Sequence, residues 1–359
     1  MNLWKRLLAI PIAASLVMGL LPAPALAENT AHSHPICGEA HTDIGDHTGD
    51  NCKDATWTAW DGTSTITYDT NNTAYVYLEK DATRESRLEV KAGYTLYLCL
   101  NGNSLTSSTA SDDEVINVSN NAHFILCDCK GGGTITHSTG AKGKGVRVGG
   151  SDPTAATFSM YGGTISGNHT DDPHSGAGGA GVEIHNGTFK MYGGTISDNY
   201  EENTGSNYGG GGVCAHSSGT FTMYGGTICN NYSVTDAGGV TVVGGTMNIY
   251  GGTIRNNTAK NYGGGIWTNS NEFKISGNSV IENNTAGVDG GGLCYYASYS
   301  YNMTISDSAR ISGNTATGNG GGICFESKGT LTMNGGSITA NTATGTNGTG
   351  GGVHFQGRA

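Results

Sequence analysis

The chain has 359 residues, a formal net charge of −11 at pH 7, 61 glycines and only 13% charged residues. The acidic balance argues against nucleic acid or an anionic membrane surface as the partner. Glycine-rich chains of low complexity carry their glycines without a period, whereas here the glycines recur in register with apolar residues. We therefore expect an ordered protein whose surface is dominated by hydroxyl and amide groups.

The first 27 residues have the layout of a cleaved secretory signal peptide. Lys5 and Arg6 precede an apolar run over residues 7–21, and Ala25 and Ala27 are the small residues before the expected cut. The run is short for a membrane span, and an uncleaved anchor is the alternative. We expect an extracellular bacterial protein, either secreted or held at the cell surface.

Residues 28–60 form a segment that is rich in cysteine and histidine. Its six candidate ligands are His32, His34, Cys37, His41, His47 and Cys52. Imidazole and thiolate are the ligands that zinc prefers, and four of these side chains would complete a tetrahedral site. The alternative is a disulfide between Cys37 and Cys52, which is natural in an oxidising compartment. Zinc here is the only cofactor that the sequence suggests.

From residue 61 the sequence has the character of β-strands. Residues Leu96–Leu100 alternate apolar and other side chains with a period of two, which is typical of a strand. Leu105, Ile135 and Ile165 follow one another at 30-residue intervals. We therefore assign residues 61–150 to degenerate first coils of the array that follows.

Residues 151–359 repeat one unit. Three glycines and an aliphatic residue are followed by Thr-apolar-x-Met, then by Gly-Gly-Thr-Ile, and three positions later by asparagine. The Ile/Asn pairs are Ile165/Asn168, Ile196/Asn199, Ile228/Asn231, Ile254/Asn257, Ile281/Asn284, Ile311/Asn314 and Ile338/Asn341. Their spacing ranges from 26 residues (Ile228 to Ile254) to 32 residues (Ile196 to Ile228). Self-similarity at such a period indicates a solenoid.

Each unit predicts three short strands. The first follows the glycines, as in Val182–Ile184; the second is the Thr-apolar-x-Met piece, as in Phe189–Met191; the third is the Thr-Ile piece. We expect the outer residues of the first strand to face the core and its middle residue to face solvent. Glycines supply corners with positive φ, and the asparagines suit the bend after isoleucine and can bond to one another along the column.

In-register parallel stacking of these units predicts an all-β fold, a right-handed, single-stranded parallel β-helix of about nine coils. Its handedness follows the general rule for parallel crossover connections. The chain stops after Gly357-Arg358-Ala359, where another Thr-apolar-x-Met piece is due. Because a solenoid needs a polar cap, we expect this chain to be a fragment of a longer protein, whose missing part holds the cap and an anchor.

The G-G-G-[IVL] and I-x-x-N repeats resemble the GGA[ILV] and FxxN repeats of the polymorphic outer-membrane proteins of chlamydiae and related surface adhesins. The first coils, with L-C-L-N-G and L-C-D-C-K-G-G-G-T-I, are similar to cell-surface β-helix proteins of gut Firmicutes. The resemblance covers residues 57–359 and implies a pectin-lyase-like extracellular solenoid with an adhesive or glycan-contacting role. The chain departs from the chlamydial pattern in having isoleucine for phenylalanine, and such repeats specify fold more closely than function.

A column of tyrosines is the best candidate for a ligand-binding surface. Tyr161, Tyr192, Tyr224 and Tyr250 follow the second strand on four consecutive coils. Where Met160 points inward, Tyr161 and its equivalents point outward. Aromatic faces beside Ser, Thr and Asn groups suit sugar rings. The alternative is stacking of the rings on one another, which would stiffen the rod.

One longer insert contains a candidate catalytic group. Asp171, Asp172 and His174 place paired carboxylates near a histidine, as general acid/base chemistry or calcium binding requires. A solvated loop is the alternative.

Charge elsewhere is scattered. Arg147, Arg255 and Arg310 lie on different coils, and the sequence predicts no column of carboxylate partners for them. No G-G-x-G-x-D nonapeptide occurs, which argues against a calcium roll.

The nine cysteines include two pairs at equivalent positions on neighbouring coils. Cys294 and Cys324 are expected to point outward, and so are Cys99 and Cys127. In-register neighbours are slightly too far apart for a relaxed disulfide, so packing as small apolar residues is as consistent with the pattern as bridging. No His or Asn column accompanies them, which argues against a catalytic cysteine.

Three functions are consistent with these observations. The first is a non-catalytic adhesin or glycan-binding rod, whose partners are glycans or molecules of a host or bacterial surface. The second is a polysaccharide lyase or glycoside hydrolase on the pectin-lyase-like fold. The third is a structural stalk. A regular array without a charged cleft favours the first and the third.

Overall fold

The structure, a computed structural model, describes residues 32–37, 52–109, 113–150, 156–171, 178–203 and 208–357. The predicted signal peptide lies outside these residues. Among the described elements there is no helix with the length and hydropathy needed to span a bilayer.

The described residues contain 41 strands. In chain order they are β1 (His32–Cys37), β2 (Cys52–Trp60), β3 (Thr73–Leu78), β4 (Ala82–Arg84), β5 (Leu88–Val90), β6 (Thr95–Cys99), β7 (Ser104–Ser107), β8 (Ile116–Val118), β9 (His123–Cys127), β10 (Thr134–His137), β11 (Val146–Gly149), β12 (Thr157–Met160), β13 (Thr164–Ser166), β14 (His169–Thr170), β15 (Gly178–Gly179), β16 (Val182–His185), β17 (Thr188–Met191), β18 (Thr195–Ser197), β19 (Tyr200–Glu201), β20 (Gly209–Gly210), β21 (Val213–His216), β22 (Thr220–Met223), β23 (Thr227–Cys229), β24 (Tyr232–Ser233), β25 (Val240–Val243), β26 (Thr246–Ile249), β27 (Thr253–Arg255), β28 (Thr258–Ala259), β29 (Ile266–Thr268), β30 (Glu272–Ile275), β31 (Val280–Glu282), β32 (Thr285–Ala286), β33 (Leu293–Tyr296), β34 (Asn302–Ile305), β35 (Arg310–Ser312), β36 (Thr315–Ala316), β37 (Ile323–Glu326), β38 (Leu331–Met333), β39 (Ser337–Thr339), β40 (Thr342–Ala343) and β41 (Val353–Gln356).

These strands stack into long sheets, one strand of each coil above the equivalent strand of the coil before. Sheet 1 has twelve strands (β1-β2-β3-β6-β9-β12-β17-β22-β26-β30-β34-β38), sheet 2 has ten strands from β4 to β39, and sheet 3 has ten strands from β5 to β41. Apart from the antiparallel pair β1–β2, neighbouring strands of these sheets are parallel. The predicted parallel β-helix is confirmed.

Like residues stack on like residues in the core. Phe158, Phe189 and Phe221 are Cα partners on consecutive strands of sheet 1 and are fully buried. The rings of Phe158 and Phe189 lie 4.6 Å apart at 8°. Burial of one such side chain stabilises the fold by about 1.5–3 kcal/mol. The same gain recurs on every coil, which explains why the apolar positions of the repeat define the fold.

Seven of the coils contain a fourth strand that the sequence did not predict. Sheet 4 has seven strands of two residues each, in the order β14-β19-β24-β28-β32-β36-β40, and each strand directly follows a repeat asparagine. A two-residue strand is too short to show an alternation of apolar and polar side chains. The prediction of three strands per coil is therefore wrong for the coils that contain sheet 4.

The repeat asparagines form a buried hydrogen-bonded column. Asn231 is 1% exposed, and its Nδ2 donates to Asn257 Oδ1 and to Ile196 O, both at 3.0 Å. The predicted bonding between stacked amides is confirmed. The left-handed bend, however, lies one residue earlier, at Asn230 with φ 57° and Asn256 with φ 56°. The prediction that the column asparagines themselves make the bend is wrong.

In six of the ten sheet 3 strands the middle residue does not face solvent. These six residues are nearly or fully buried and form what we call the covered layer: Glu183, Cys214, Thr241, Trp267, Cys294 and Cys324. The cover is the chain just before each glycine triplet. Thr241 Oγ1, for example, donates to Gly209 O at 2.5 Å. The prediction of exposed middle residues is therefore wrong for these six strands, because a second layer of backbone lies over their outer face, whereas Glu89, Asn117 and Arg147 on earlier strands remain partly exposed.

The glycine triplet lets the chain fold back over sheet 3. Gly320 has a φ of 64°, and a Cβ built on it would lie 2.3 Å from Ile323 O. The next two glycines lie against the backbone of the neighbouring coil, where a Cβ on Gly321 would be 2.4 Å from Thr342 O. Only a residue without Cβ fits such an approach.

Candidate functional site

A buried cluster of charged side chains lies at the N-terminal end of the covered layer. Glu183 on β16 has a side chain that is 1% exposed, and Lys144 Nζ lies 3.1 Å from its Oε2. Arg147 Nε on β11 lies 3.5 Å from the same oxygen. His216 Nε2 on β21 lies 3.2 Å from Glu183 Oε1. One carboxylate thus connects basic side chains from the coil before it and the coil after it.

The partners of Glu183 decide its ionisation. Burial alone would raise the pKa of this carboxyl, but the hydrogen bond with His216 and the charges of Lys144 and Arg147 lower it to about 2. Burial lowers the pKa of His185, and the adjacent His216 lowers it further. The two imidazole rings lie 4.3 Å apart. At neutral pH, therefore, Glu183 is ionised.

The cluster borders a shallow groove of about 410 Å³ on the outer face of the first coils. The lining residues are Arg87, Ala92, Asn117, Ser119, Asn120, Arg147, Gly149 and Gly150. Arg87 Nη1 lies 3.0 Å from Glu114 Oε1 and its Nε 3.3 Å from Glu89 Oε2. Arg87 and Arg147 keep 41% and 35% of their side chains exposed. Two arginines, held by carboxylates beneath them, therefore line one groove.

The arginine pairings correct one sequence expectation. Arg147 pairs with Glu183 on the next strand of sheet 3. Arg310 Nη2 lies 2.6 Å from Glu282 Oε2 on the neighbouring strand of sheet 2. The prediction that these arginines lack carboxylate partners is wrong, because ion pairs form between coils about 30 residues apart in sequence.

The predicted tyrosine column exists as a stack. The rings of Tyr161 and Tyr192 lie 4.7 Å apart at 5°, those of Tyr192 and Tyr224 4.9 Å at 6°, and those of Tyr224 and Tyr250 5.5 Å at 28°. Tyr192 is only 5% exposed, whereas Tyr250 is 37% exposed. The outer face of Tyr250 is approached by Lys274 Nζ at 5.9 Å. Neighbouring rings thus cover each other's faces, so that Tyr192 is buried and Tyr250, at the end of the stack, is the exposed member of the four.

The candidate catalytic insert is described only at its start. The carboxylate of Asp171 forms an ion pair with Lys142 Nζ, which also lies 2.5 Å from Glu202 Oε1. The hydrogen bonds that Lys142 donates to the carboxylates of Asp171 and Glu202 raise the pKa of Lys142. Asp172 and His174 lie outside the described residues. The arrangement around Asp171 is an ion-pair network between coils.

The Cys/His-rich segment is described in part. His32, His34 and Cys37 lie on β1, which pairs with β2, and the register places Cys37 opposite Cys52. His41 and His47 lie outside the described residues. This backbone pairing brings the two cysteines to adjacent positions, and the zinc hypothesis stays a prediction.

Sequence reasoning missed Lys144, Glu183 and His216 as a group. The signal available in the sequence is the glutamate of Val182-Glu183-Ile184. At the same middle position of the first strand, the other regular coils have Cys, Thr, Trp or His. However, a glutamate at a position that is expected to face solvent does not indicate a buried cluster. No protein-family profile, curated protein or solved structure matches this chain.

Proposed function

We propose that this chain is an extracellular β-helix rod that binds acidic glycans without catalysis. The observation that carries the proposal is the groove lined by Arg87 and Arg147. A planar guanidinium forms two parallel hydrogen bonds to a carboxylate or a sulfate, which gives both affinity and orientation.

The other groove residues fit the remaining groups of a sugar. Asn117, Ser119 and Asn120 line the groove with amide and hydroxyl groups. Asn117 Nδ2 and Ser119 Oγ donate to the carboxylate of Glu89, so binding a sugar through these donors requires exchange of those hydrogen bonds. The carboxylates of Glu89 and Glu114 hold Arg87 in place, and Glu183 holds Arg147. A long polymer can follow the straight outer face of the stacked strands. These features favour an anionic polysaccharide over a small neutral ligand.

Binding of the mature protein to an array of neutral, uronate-containing and sulfated glycans tests the proposal. We expect binding to the acidic members, with at least about tenfold weaker binding by an Arg87→Gln/Arg147→Gln variant, since each charge-assisted bond contributes about 1.5–3 kcal/mol. An Arg255→Gln/Arg310→Gln variant has the same net charge and is the matched control. Equal losses in both double variants, or binding to neutral glycans alone, would contradict the groove as the site.

The tyrosine stack supplies a second surface to test on the same array. A Tyr192→Ala/Tyr224→Ala variant removes two rings whose faces are already covered. We expect it to bind acidic glycans as the parent does, provided that it keeps its far-ultraviolet circular dichroism. A loss as large as that of the Arg87/Arg147 variant would move the binding site to the stack.

A polysaccharide lyase is the second candidate, and the charged cluster favours it. Gly149, which lines the groove, is the Cα partner of His185, and the ring of His185 lies beside that of His216. A histidine whose pKa is lowered is a base at neutral pH, and arginine can neutralise a uronate carboxylate. Release of unsaturated sugars from an acidic polysaccharide, abolished by His185→Ala, would establish this activity in place of simple binding.

A further inference from the structure

The C-terminal end of the covered layer contains a second cluster of polar groups, distant in sequence from the groove. One ligand atom each from Asp289, Cys324 and Glu326 lie within 4.8 Å of one another. Cys324 Sγ lies 3.6 Å from Glu326 Oε1. Cys294 is the Cα partner of Cys324 on the preceding strand, and both cysteines are fully buried. Two thiols and two carboxylates therefore meet beneath the cover.

The chain reversal at the glycine triplet determines where Asp289 lies. This residue directly precedes Gly290, whose φ is 70° and where a Cβ would lie 2.5 Å from Leu293 O. The chain therefore turns back, and Asp289 comes to lie over the strand that contains Cys294. The backbone N–H of Asn319 on the next coil donates to Asp289 Oδ1. One oxygen of the Asp289 carboxylate is among the three clustered ligand atoms.

We propose that Cys324, Asp289 and Glu326, with Cys294 as a fourth ligand, form a binding site for a zinc-like divalent metal. Thiolate sulfur and carboxylate oxygen are both zinc ligands, with bonds of about 2.3 Å and about 2.0–2.2 Å. Ligand atoms around a tetrahedral zinc are then roughly 3.3–3.8 Å apart. From separations within 4.8 Å, the three donor atoms need to approach by about 1.5 Å at most, a shift within the reach of side-chain rotation.

Both thiols are fully buried. Metal binding would deprotonate the thiols and release protons, so affinity should rise with pH. The site is distinct from the N-terminal Cys/His-rich segment, with which it shares no residue.

Cobalt(II) titration of the reduced protein tests the proposal, because thiolate-bound cobalt has charge-transfer absorption in the near ultraviolet. The titration uses a Cys37→Ser/Cys52→Ser background, so that the N-terminal segment contributes no thiolate. We expect one equivalent of cobalt with this absorption, displaced by zinc. In the same background, Cys324→Ser should lower the affinity at least about 100-fold.

Two further variants keep the test independent of folding. Asp289→Asn retains the volume and the hydrogen bond from Asn319, and should weaken cobalt binding at least about tenfold. Cys229→Ser, a buried cysteine outside the cluster, should leave it unchanged. The proposal is overturned by absence of the thiolate band in the background protein or by equal binding in Cys324→Ser. It is also overturned if mass spectrometry of the reduced protein still shows a Cys294–Cys324 disulfide.

Discussion

The two ends of the covered layer occupy the same positions of the repeat and have opposite chemistry. At the N-terminal end, Glu183 is surrounded by Lys144, Arg147 and His216. Towards the C-terminal end, Trp267 packs in an uncharged contact with Ala237, Cys294 and Cys324, and the two thiols are also the proposed metal ligands. The backbone is the same in both. The solenoid therefore fixes a buried position, and the individual coil decides whether it holds an ion network or an apolar contact.

This difference has consequences for stability. An ion network contributes only while every member keeps its partner, because a single buried charge is costly. An apolar contact loses stability in proportion to the volume removed, and pH does not affect it. The following substitutions separate these two behaviours, from the largest expected effect to the smallest.

Glu183→Ala should destabilise the protein most. It leaves Lys144, with 4% of its side chain exposed, as a buried charge without Glu183, and the expected loss is about 3–5 kcal/mol in the free energy of unfolding. Urea unfolding at pH 7 measures it. A Glu183→Ala/Lys144→Met variant should recover most of the loss. Equal instability of the single and double variants would show that packing, and not charge, dominates.

In the wild-type protein, the free energy of unfolding should fall at acid pH as Glu183 is protonated. We call this part of the curve of stability against pH the acid limb. The pKa of Glu183 is lowered to about 2 from an ordinary value of 4.5. Its contribution is therefore complete above pH 4.5 and is lost as the pH falls towards 2. Glu183→Gln should flatten this part of the stability curve.

Trp267→Ala should lower the free energy of unfolding by about 3 kcal/mol, because it opens a cavity towards the C-terminal end of the covered layer. The ring is 3% exposed and lies 4.9 Å from that of Tyr208 and 6.4 Å from that of Tyr296. Urea unfolding at pH 5 and pH 8 should give the same loss, since no ionisable group is removed. A loss that changes strongly between the two pH values would contradict the contrast between the two ends.

Asp236→Asn should stabilise the protein at alkaline pH. Burial raises the pKa of Asp236 to about 7 from 3.8, with a further contribution from Glu201. The folded state therefore binds this proton more tightly, and stability falls as the pH rises from 3.8 to about 7. The amide stays neutral and still accepts the bond from Tyr262 N. At pH 8 we expect a gain of about 1–3 kcal/mol in urea unfolding, and none at pH 3.

His216→Gln should have the smallest effect, a loss of about 1 kcal/mol in the free energy of unfolding at pH 7. The loss is small because glutamine still donates a hydrogen bond to Glu183. The acid limb should move to higher pH, since one of the interactions that lower the pKa of Glu183 is weakened. His123→Gln, at an exposed hydrogen bond with Thr157, is the control. An unchanged acid limb would remove His216 from the network.

The fold was largely predictable because its information is local and periodic. The Phe-x-Met and Val-x-Ile pieces recur on each coil, so their inward faces could be assigned from the alternation alone. The asparagine column was also predictable in its bonding, since stacked amides in register can only meet one another. The sheet 4 strands were not, because two residues show no period.

The candidate site was not predictable for a different reason. The tyrosine stack could be placed from spacing, but which ring faces remain open depends on the 4.7 Å contact between Tyr161 and Tyr192. The ion pairs of Arg87 and Arg147 join residues from different coils. The grouping of Asp289, Cys324 and Glu326 depends on a backbone turn at Gly290.

By itself the sequence determined the coil, its stacking and the residues that fill its core, because the same apolar pattern is repeated until only one packing satisfies all units. Only the tertiary structure decided that the outer side of sheet 3 is buried. The covering segments are short, polar and rich in glycine, and nothing in their composition shows where they lie. Their position follows from the left-handed glycine turns and the neighbouring coils, which convert a surface position into an interior one.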